Sequence, residues 1–232
     1  MSPSDVDGPR FVGVWRLPAG LVLVCGSLLA ALVAATATAH GGPFAVDSTV
    51  HAWVLGHRPP WVRGLAVGVT VTGSGAPAYV LAALAGALAA RRGWSRGGLL
   101  GVVALASAQV PRIVLASALA RPRPPMADWA WSANGWAMPS GHTATSMVVA
   151  VLLTVAAHRR AHTRLRPALL ALPGTWAAAV GVSRVVLGVH WPTDVLAGWL
   201  LAACWAGLAA LVVVLPRRRK TGAVASMERQ RP

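Results

Sequence analysis

The stretch VLAGWLLAACWAGLAALVVVLP, residues 195–216, contains no charged side chain and is long enough to cross the roughly 30 Å hydrocarbon core of a bilayer as a helix. Five further apolar segments precede it, at 18–39, 65–90, 97–120, 143–157 and 167–182. Because a spanning segment must satisfy its own backbone hydrogen bonds, such runs form helices. The sequence therefore predicts an all-α fold, a bundle of six transmembrane helices.

The composition agrees with a lipid environment. Of the 232 residues, 56% are hydrophobic and 12% are charged, whereas about 25% of the residues of a soluble domain are charged. The net charge of +15 is compatible with a nucleic-acid partner, but the basic residues stand in short clusters between apolar runs rather than along one polar face. We therefore expect membrane lipids as neighbours and no nucleic-acid partner.

The basic clusters predict the orientation of the helices. Fifteen of the 21 Lys and Arg residues fall near the N-terminus, around 91–96 and 159–166, and in the C-terminal tail. Cytoplasmic loops retain positive charge, so both termini of a multi-pass plasma-membrane protein are expected in the cytoplasm. The connections at 40–64, 121–142 and 183–194 then face outward.

This orientation divides the chain into a cytoplasmic N-terminal segment at 1–17, a transmembrane domain at 18–216, and a basic, disordered cytoplasmic tail at 217–232. The first apolar run also has features of a cleavable secretion signal, with basic residues before it and ATATA at its end. Its length favours a retained helix. Cleavage would leave five spans and the same outward loops.

Ionisable side chains within or beside transmembrane segments are costly and therefore indicate function. Seven such residues stand out, and six of them lie near outward helix ends: Arg112, Arg121, Arg123, His142, Arg184, His190 and Asp194. Taken singly, each has an ordinary alternative, such as an arginine that reaches lipid headgroups. Their concentration on three loops of one side predicts a single polar site.

The segment AMPSGHTATS, residues 137–146, has the pattern of an anion site. Ser140 is a favourable N-cap for the apolar helix that follows, and the unpaired N–H groups of that helix's first turn can bind phosphate. Gly141 allows a ligand to approach the backbone closely. His142 would lie beside the anion, where it can donate a proton to a leaving oxygen.

The segment SRVVLGVHWPTD, residues 183–194, predicts a paired histidine and carboxylate. Asp194 falls four residues after His190, so the carboxylate can hold one ring nitrogen and leave the other free as a nucleophile or base. A structural cap is the alternative role of this pair.

The segment RPRPP, residues 121–125, predicts a cluster of positive charge at the outward end of the third span. Its prolines end the helix and stiffen the exit, so the side chains of Arg121 and Arg123 are held in place. With Arg184, they offer planar guanidinium groups suited to phosphate.

Together these segments resemble the type 2 phosphatidic acid phosphatase (PAP2) superfamily, membrane lipid phosphatases that share a core with vanadium haloperoxidases. The family's second motif, P-S-G-H, matches residues 139–142, and its third, S-R-x5-H-x3-D, matches residues 183–194 without a spacing error. Of its first motif, K-x6-R-P, only Arg123 and Pro124 are present, because Ala116 stands at the lysine position.

The resemblance implies a mechanism. His190 attacks phosphorus and forms a phosphohistidine, Asp194 orients the His190 ring, and His142 protonates the leaving oxygen and then activates water. The groups implied to hold the phosphate are Arg123, Arg184 and the N–H groups of Ser140 and Gly141. No metal or other cofactor is implied. The implied substrate is a lipid phosphate or diphosphate at the outer face, namely phosphatidic acid, phosphatidylglycerol phosphate or polyprenyl diphosphate.

The missing lysine leaves three alternatives open. Arg112 lies one helical turn before Ala116 on the same face and can stand in for it, although side chains lean toward a helix's N-terminus, which points Arg112 away from the outward end. Arg121 is a rival for that role. The third alternative is that the contact is simply lost.

Two other functions remain open beside lipid phosphate hydrolysis. An alcohol or a sugar, rather than water, can resolve the phosphohistidine, which would make the protein a phosphotransferase. A lipid carrier that retains the fold without catalysis is the other alternative, favoured by Ala116. The residues 125–138, with Trp129, Trp131 and Trp136, are expected to form a lid or an interfacial anchor.

Overall fold

The structure, a computed structural model, describes residues 16–160 and 164–228, with side chains described as far as residue 213. These residues contain eight α-helices and no strand: α1 Arg16–Thr38, α2 Ala45–Gly56, α3 Pro60–Thr72, α4 Gly75–Ala89, α5 Trp94–Leu119, α6 Gly141–Arg160, α7 Arg166–Val186 and α8 Pro192–Glu228. A turn of 3₁₀ helix, Met126–Asp128, interrupts the loop between α5 and α6. The prediction of an all-α fold is confirmed.

Five helices within the described ranges are long and apolar enough to cross a membrane: α1, α5, α6, α7 and the Pro192–Val213 part of α8. A sixth span is reached if α3 and α4 are counted together, although these two helices are bent by 52° where they meet. The chain thus has the helices of a multi-pass membrane protein with five or six spans.

The span predicted at 65–90 is broken rather than continuous. Gly75 has φ +59°, a conformation that favours glycine, and α4 begins there on a new axis. At the end of α3, a Cβ on Gly73 would lie 2.3 Å from Val180 Cγ1 of α7, so only glycine fits this contact. The break places Ser74 and the first turn of α4 beside the polar end of the bundle.

Small residues let α4 and α5 pack closely. A Cβ on Gly86 would lie 2.2 Å from the carbonyl oxygen of Gly97, and one on Gly101 would lie 2.1 Å from that of Ala82. Such contacts allow helix backbones to approach in lipid, where hydrophobic burial drives association weakly. The close packing fixes α5, which carries Arg112, against α4.

Helix α6 lies at the centre of the bundle. Its Val148 and Val149 are fully buried and belong to one apolar cluster with Leu105 of α5 and Ala202 of α8. Near the start of α6, a Cβ on Gly198 of α8 would lie 2.9 Å from the carbonyl oxygen of Ser140. This close approach fixes the N-terminal end of α6 against α8, where the polar residues gather.

The outer surface of the bundle is apolar. Leu23 of α1 is 69% exposed, Leu172 of α7 64% and Val212 of α8 70%. Large apolar side chains with that exposure are suited to contact with lipid tails. The excess of hydrophobic residues in the composition therefore lies on the outer faces of the helices as well as in the core.

The helices at the two ends of the described chain can be compared with the predicted boundaries at residues 17 and 216. The backbone of α8 is helical as far as Glu228, past Pro216, after which we expected a disordered tail. Arg, Lys, Ala, Met and Glu after Pro216 are favourable helix formers. The N-terminal segment predicted at 1–17 lies outside the described residues except for Arg16 and Leu17. The boundaries at 17 and 216 stay predictions.

Candidate active site

The outward loops predicted from the sequence meet at one end of the bundle around a cavity of about 380 Å³. Six of the nine predicted site residues line it: Arg112, Arg123, Gly141, His142, Arg184 and His190. Ser140, Asp194 and Arg121 do not line it, and all three side chains are fully buried. The cavity also borders the break between α3 and α4, through Ser74 and Gly75.

His190 lies between α7 and α8 with only 1% of its surface exposed. Arg123 Nη1 donates to its Nε2 at 2.8 Å, and because arginine has no acceptor, Nε2 must carry the lone pair. The proton is therefore on Nδ1, which faces Asp194 Oδ2 at 3.4 Å. Burial, then the positive charges of Arg123 and Arg184, hold the pKa of His190 well below its usual range. The ring is neutral at neutral pH, and its Nε2 lone pair faces Arg123, which lines the same cavity.

Asp194 lies fully buried in the first turn of α8. Its Oδ2 accepts the backbone N–H of Trp191 at 2.8 Å, and its Oδ1 accepts Arg121 Nη1 at 2.6 Å. Both contacts fix the orientation of the carboxyl group. The long contact with His190 is thus one of three that this carboxylate makes, and the other two determine its position.

Arg121 is placed differently from the prediction that it binds substrate phosphate. Its guanidinium is fully buried and pairs with Asp194 and with Asp47 of α2, the latter at 2.7 Å. It also donates to Thr193 Oγ1 and to the carbonyl oxygens of Gly41 and Gly42. These partners take up its donors behind the cavity, so none reaches a phosphate in it.

Asp47 is a residue near the site that the sequence motifs did not predict. One of its oxygens accepts from Arg121 and from the backbone N–H of Phe44, and the other accepts the N–H of Thr193 at 3.0 Å. The carboxylate therefore ties the start of α2 to the start of α8. A signal was available, because Asp47 is one of only six acidic residues and lies in a predicted outward connection.

Arg123 is half-buried, lines the cavity and uses all five of its donors within the protein. Besides His190, the guanidinium binds the carbonyl oxygens of Val189, Asn134, Gly135 and Trp136. It therefore fastens the loop before α6 to the turn before α8. A phosphate in the cavity can gain a donor from Arg123 by replacing His190 Nε2 as the partner of Nη1.

Arg184, in the last turn of α7, is 1% exposed and lines the cavity. Its Nη1 donates to Thr70 Oγ1 of α3 at 2.9 Å, and its buried Nε has no partner among the described residues. A buried guanidinium with unsatisfied donors is costly, and an anion beside it offsets that cost. The placement agrees with the predicted phosphate contact.

The start of α6 agrees with the prediction in part. Gly141 and His142 line the cavity with the first turn of the helix, as expected. The Ser140 N–H, however, donates to the backbone carbonyl oxygen of Asp194 at 3.1 Å, so it is not available to a phosphate. The predicted Ser140 contact is therefore replaced by a link between α6 and α8.

Arg112 reaches the cavity despite its position one turn below Ala116. Its Nε donates to Gln109 Oε1 at 3.1 Å, and its Nη1 lies 3.4 Å from where a Cβ on Gly141 would be. Gln109 in turn donates to Thr145 of α6. The absence of a side chain on Gly141 gives the guanidinium room to lie over the start of α6. Ala116 itself is buried and does not line the cavity.

His142 has a partner that the sequence motifs did not predict. Its Nε2 lies 2.8 Å from Ser74 Oγ, across the break between α3 and α4. The other ring nitrogen makes no hydrogen bond among the described residues, and it is not enclosed by protein. One side of the imidazole is thus held and the other is available to a ligand in the cavity.

The loop at 125–138, which we expected to be a lid or anchor, is fastened at its base. His51 of α2 binds Asp128 at 3.0 Å, and Arg58 donates to the carbonyl oxygens of Asp128 and Val186. Trp129 is partly buried and packs against Leu187 and Val189, whereas Trp131 and Trp136 are exposed. Of the three, only Trp136 lines the cavity.

A membrane bundle that brings two histidines and three arginines to one cavity has the architecture of a membrane phosphatase. The chain belongs to the PAP2 superfamily, whose family model matches residues 97–218, from α5 into α8. All three motif regions fall within this match. The protein is therefore a hydrolase of the PAP2 phosphatase family, as the sequence predicted.

Individual relatives agree with this assignment. Phosphatidylglycerophosphatase B of Bacillus subtilis (strain 168) is 29% identical over 148 residues, which cover 62% of this chain and 71% of that protein. The crystal structure of the first transmembrane PAP2 type phosphatidylglycerolphosphate phosphatase from Bacillus subtilis matches with a TM-score of 0.66 and 26% identity, over 88% of this chain and 96% of that one. Aquifex aeolicus LpxE shares the fold, with a TM-score of 0.54 and 22% identity over 72% and 96%.

Proposed function

We propose that this protein hydrolyses a membrane lipid phosphate or diphosphate at the outer face of the membrane, through a phosphohistidine on His190. One observation carries the proposal: two histidines and three guanidinium groups line the same cavity, and the Nε2 lone pair of one histidine is bound by a guanidinium that can exchange it for a phosphate oxygen. Nucleophile, proton donor and anion-binding groups are the parts that phosphoryl transfer requires.

In the first step the Nε2 lone pair of His190 attacks phosphorus. The P–O bond to the lipid breaks, and its electron pair passes to the ester oxygen, which takes a proton from His142. The negative charge of the bound phosphate favours the imidazolium form of His142 that this step requires. Arg123 Nη1 exchanges its bond to Nε2 for one to a phosphate oxygen. Asp194, held by Arg121 and Trp191 N–H, stabilises the positive charge that forms on the His190 ring.

In the second step a water molecule attacks the phosphohistidine. His142, now neutral, accepts a proton from the water, the P–N bond breaks, and its electron pair returns to His190. Inorganic phosphate leaves, and both histidines regain their starting protonation states. Each proton and electron pair is thereby accounted for, and no redox partner is needed.

The charge for the transition state comes from Arg112, Arg123 and Arg184. The acidic side chains described near the site are already paired: Asp47 and Asp194 with Arg121, and Asp128 with His51. A magnesium site needs free carboxylate oxygens. In the proposed reaction the arginines therefore stabilise the negative charge of the transition state, and no metal ion takes part.

Charge distribution supports the outward orientation. The site lies at the start of α6, and Arg159 and Arg160 lie at its end, about 30 Å away along a helix of 20 residues. These two arginines bind the carbonyl oxygens of residues 88–90 at the end of α4, so two basic connections share that side. Retention of positive charge in the cytoplasm then supports the proposed position of the cavity outside.

The relatives named as phosphatidylglycerophosphatases support phosphatidylglycerol phosphate as the first substrate to test, with phosphatidic acid and polyprenyl diphosphate beside it. The test is release of inorganic phosphate from these three lipids by the purified protein in detergent micelles. We expect release from at least one of them, retention of activity in EDTA, inhibition by vanadate, and no activity in His190→Ala.

A control variant and three other outcomes of this assay distinguish lipid phosphate hydrolysis from the alternative functions. His57→Ala, which changes an exposed histidine whose ring binds only within α2 and stacks on Trp53, should remain active. Transfer of phosphate to an added alcohol or sugar in place of water would indicate a phosphotransferase. Movement of lipid between vesicles without phosphate release would indicate a carrier. Loss of activity in EDTA would contradict the metal-independent mechanism.

A further inference from the structure

Ser74 stands where a helix-capping serine is expected, yet it does not cap. It precedes α4 with extended backbone angles, φ −154° and ψ 179°, and its side chain makes no hydrogen bond to the helix. Serine at this position usually binds a backbone N–H of the first turn. Here its hydroxyl instead lies 2.8 Å from His142 Nε2. The contact joins two segments that are 68 residues apart in the chain.

We propose that Ser74 is a positioning residue for His142, so that the broken span sets the direction in which the general acid–base presents its proton. The proposal rests on the proposed function, because it assigns Ser74 a part in the same reaction. With Nε2 held by the hydroxyl, the other ring nitrogen exchanges protons with the leaving oxygen and then with water.

A hydroxyl suits this role because it can both donate and accept. When His142 is an imidazolium, its Nε2–H donates to Ser74 Oγ. After the opposite nitrogen has given its proton to the ester oxygen, whose new lone pair comes from the broken P–O bond, Nε2 keeps its proton and the contact persists. The ring therefore holds one orientation through both halves of the reaction, without the added negative charge that a carboxylate would bring.

The fold supports this placement independently of the hydrogen bond. Gly73 leaves no room for a side chain against Val180 of α7, and Gly75 takes a positive φ, so the position of Ser74 between them is fixed by its neighbours. One turn earlier, Thr70 of α3 binds Arg184. Residues 70–74 thus contact one group from each of the two intact motifs.

The test compares two esters that differ in their leaving group, hexyl phosphate and 4-hexylphenyl phosphate. An alkoxide needs a proton as it leaves and a phenolate needs it far less, so faulty proton donation slows the alkyl ester selectively. For Ser74→Ala and Ser74→Gly we expect kcat/KM to fall about tenfold or more on hexyl phosphate, since general acid catalysis contributes about 10²- to 10⁴-fold. On the aryl ester we expect a change of less than about threefold, because the same contribution is largely absent there.

Rescue and control variants complete the test. Ser74→Thr keeps the hydroxyl and should retain wild-type kcat/KM on both esters. Ser107→Ala changes an exposed serine of α5 whose hydroxyl binds only its own helix, and it should behave as wild type. Equal loss on both esters in Ser74→Ala and Ser74→Gly, or no loss, would overturn the positioning role alone. Wild-type protein that releases phosphate from no ester or lipid would overturn the proposed function as well.

Discussion

Arg121 Nη1 lies 2.6 Å from Asp194 Oδ1, and both side chains are fully buried. The carboxylate beside His190 is therefore held by a guanidinium that is itself paired with Asp47. A buried carboxylate without a partner carries a large desolvation cost, and two such groups share this one cation. The nucleophile of the proposed reaction thus depends on an ion cluster outside the cavity.

Arg121→Met should lower stability more than it lowers affinity for substrate. Removal of one partner of a buried ion pair costs about 3–5 kcal/mol, because the remaining charges stay buried without compensation. We expect a lower thermal unfolding temperature in detergent and a loss of activity that follows the loss of folded protein. Arg63→Met, which changes an exposed arginine of α3, is the matched control. If Arg121→Met were as stable as wild type and only its substrate binding were impaired, the result would support direct binding of phosphate by Arg121.

His190 should be a neutral Nδ1–H imidazole well into the acidic range. Its lowered pKa means that the unprotonated form persists below the ordinary histidine value of about 6.5, whereas an unperturbed ring would gain a proton there. Nitrogen NMR of histidine-labelled protein reports both the tautomer and the titration. Arg123→Gln removes the second-largest cause of the shift, so its His190 signal should titrate at higher pH than that of wild type. Titration of wild-type His190 at or above the ordinary value would contradict this electrostatic account.

Arg112 should contribute to catalysis in place of the missing lysine. Its guanidinium lies over Gly141 at the start of α6, where it can bind a phosphate oxygen. Loss of one preorganised donor typically lowers kcat by about 10²- to 10³-fold, so we expect a drop of that order in Arg112→Ala.

The control for that drop is Arg96→Ala, an exposed arginine at the other end of α5, which should keep its activity. The double variant Arg112→Ala/Ala116→Lys tests whether a lysine at the motif position can replace Arg112. We expect its kcat to recover part of the loss seen in Arg112→Ala. Wild-type activity in Arg112→Ala would show that the lysine contact is simply lost in this protein.

Gly73→Ala should strain the contact between α3 and α7. The new Cβ would meet Val180 Cγ1 at 2.3 Å, and overpacking of this kind costs about 1–3 kcal/mol. Because Ser74 and Thr70 flank this contact, activity should fall together with stability. Val180→Ala removes the colliding methyl groups, so the double variant should recover part of both. Additive losses in the two variants, measured by thermal unfolding, would contradict a direct clash.

Much of the fold followed from the sequence because lipid imposes a simple constraint. Long apolar runs must be helices when no water is present to bind the backbone, and five of the six predicted runs each lie within a single helix or extend past it by one residue. The run at 65–90 contains no charged residue, so hydropathy alone did not show its break. The break was indicated only locally, by the two glycines and the proline of GSGAP, residues 73–77.

The motif residues were also accessible from the sequence, and six of the nine predicted site residues line the cavity. Arg121 and Ser140 were assigned to phosphate because each carries suitable donors on an outward loop. In the structure those donors bind Asp47, Asp194 and the backbone. Spacing along the chain identifies a hydrogen-bond donor, but it does not show which acceptor lies next to that donor in the folded protein.

By itself the sequence determined that the protein is a membrane helix bundle with basic connections on one side and histidines and arginines on the other. It did so through properties that act locally, namely hydropathy, charge and motif spacing. Only the tertiary structure decided which polar groups face the cavity and which make hydrogen bonds and ion pairs within the protein around it. Contacts such as Ser74 with His142 and Asp47 with Arg121 join residues 68 and 74 positions apart, and such pairs form only when helices pack.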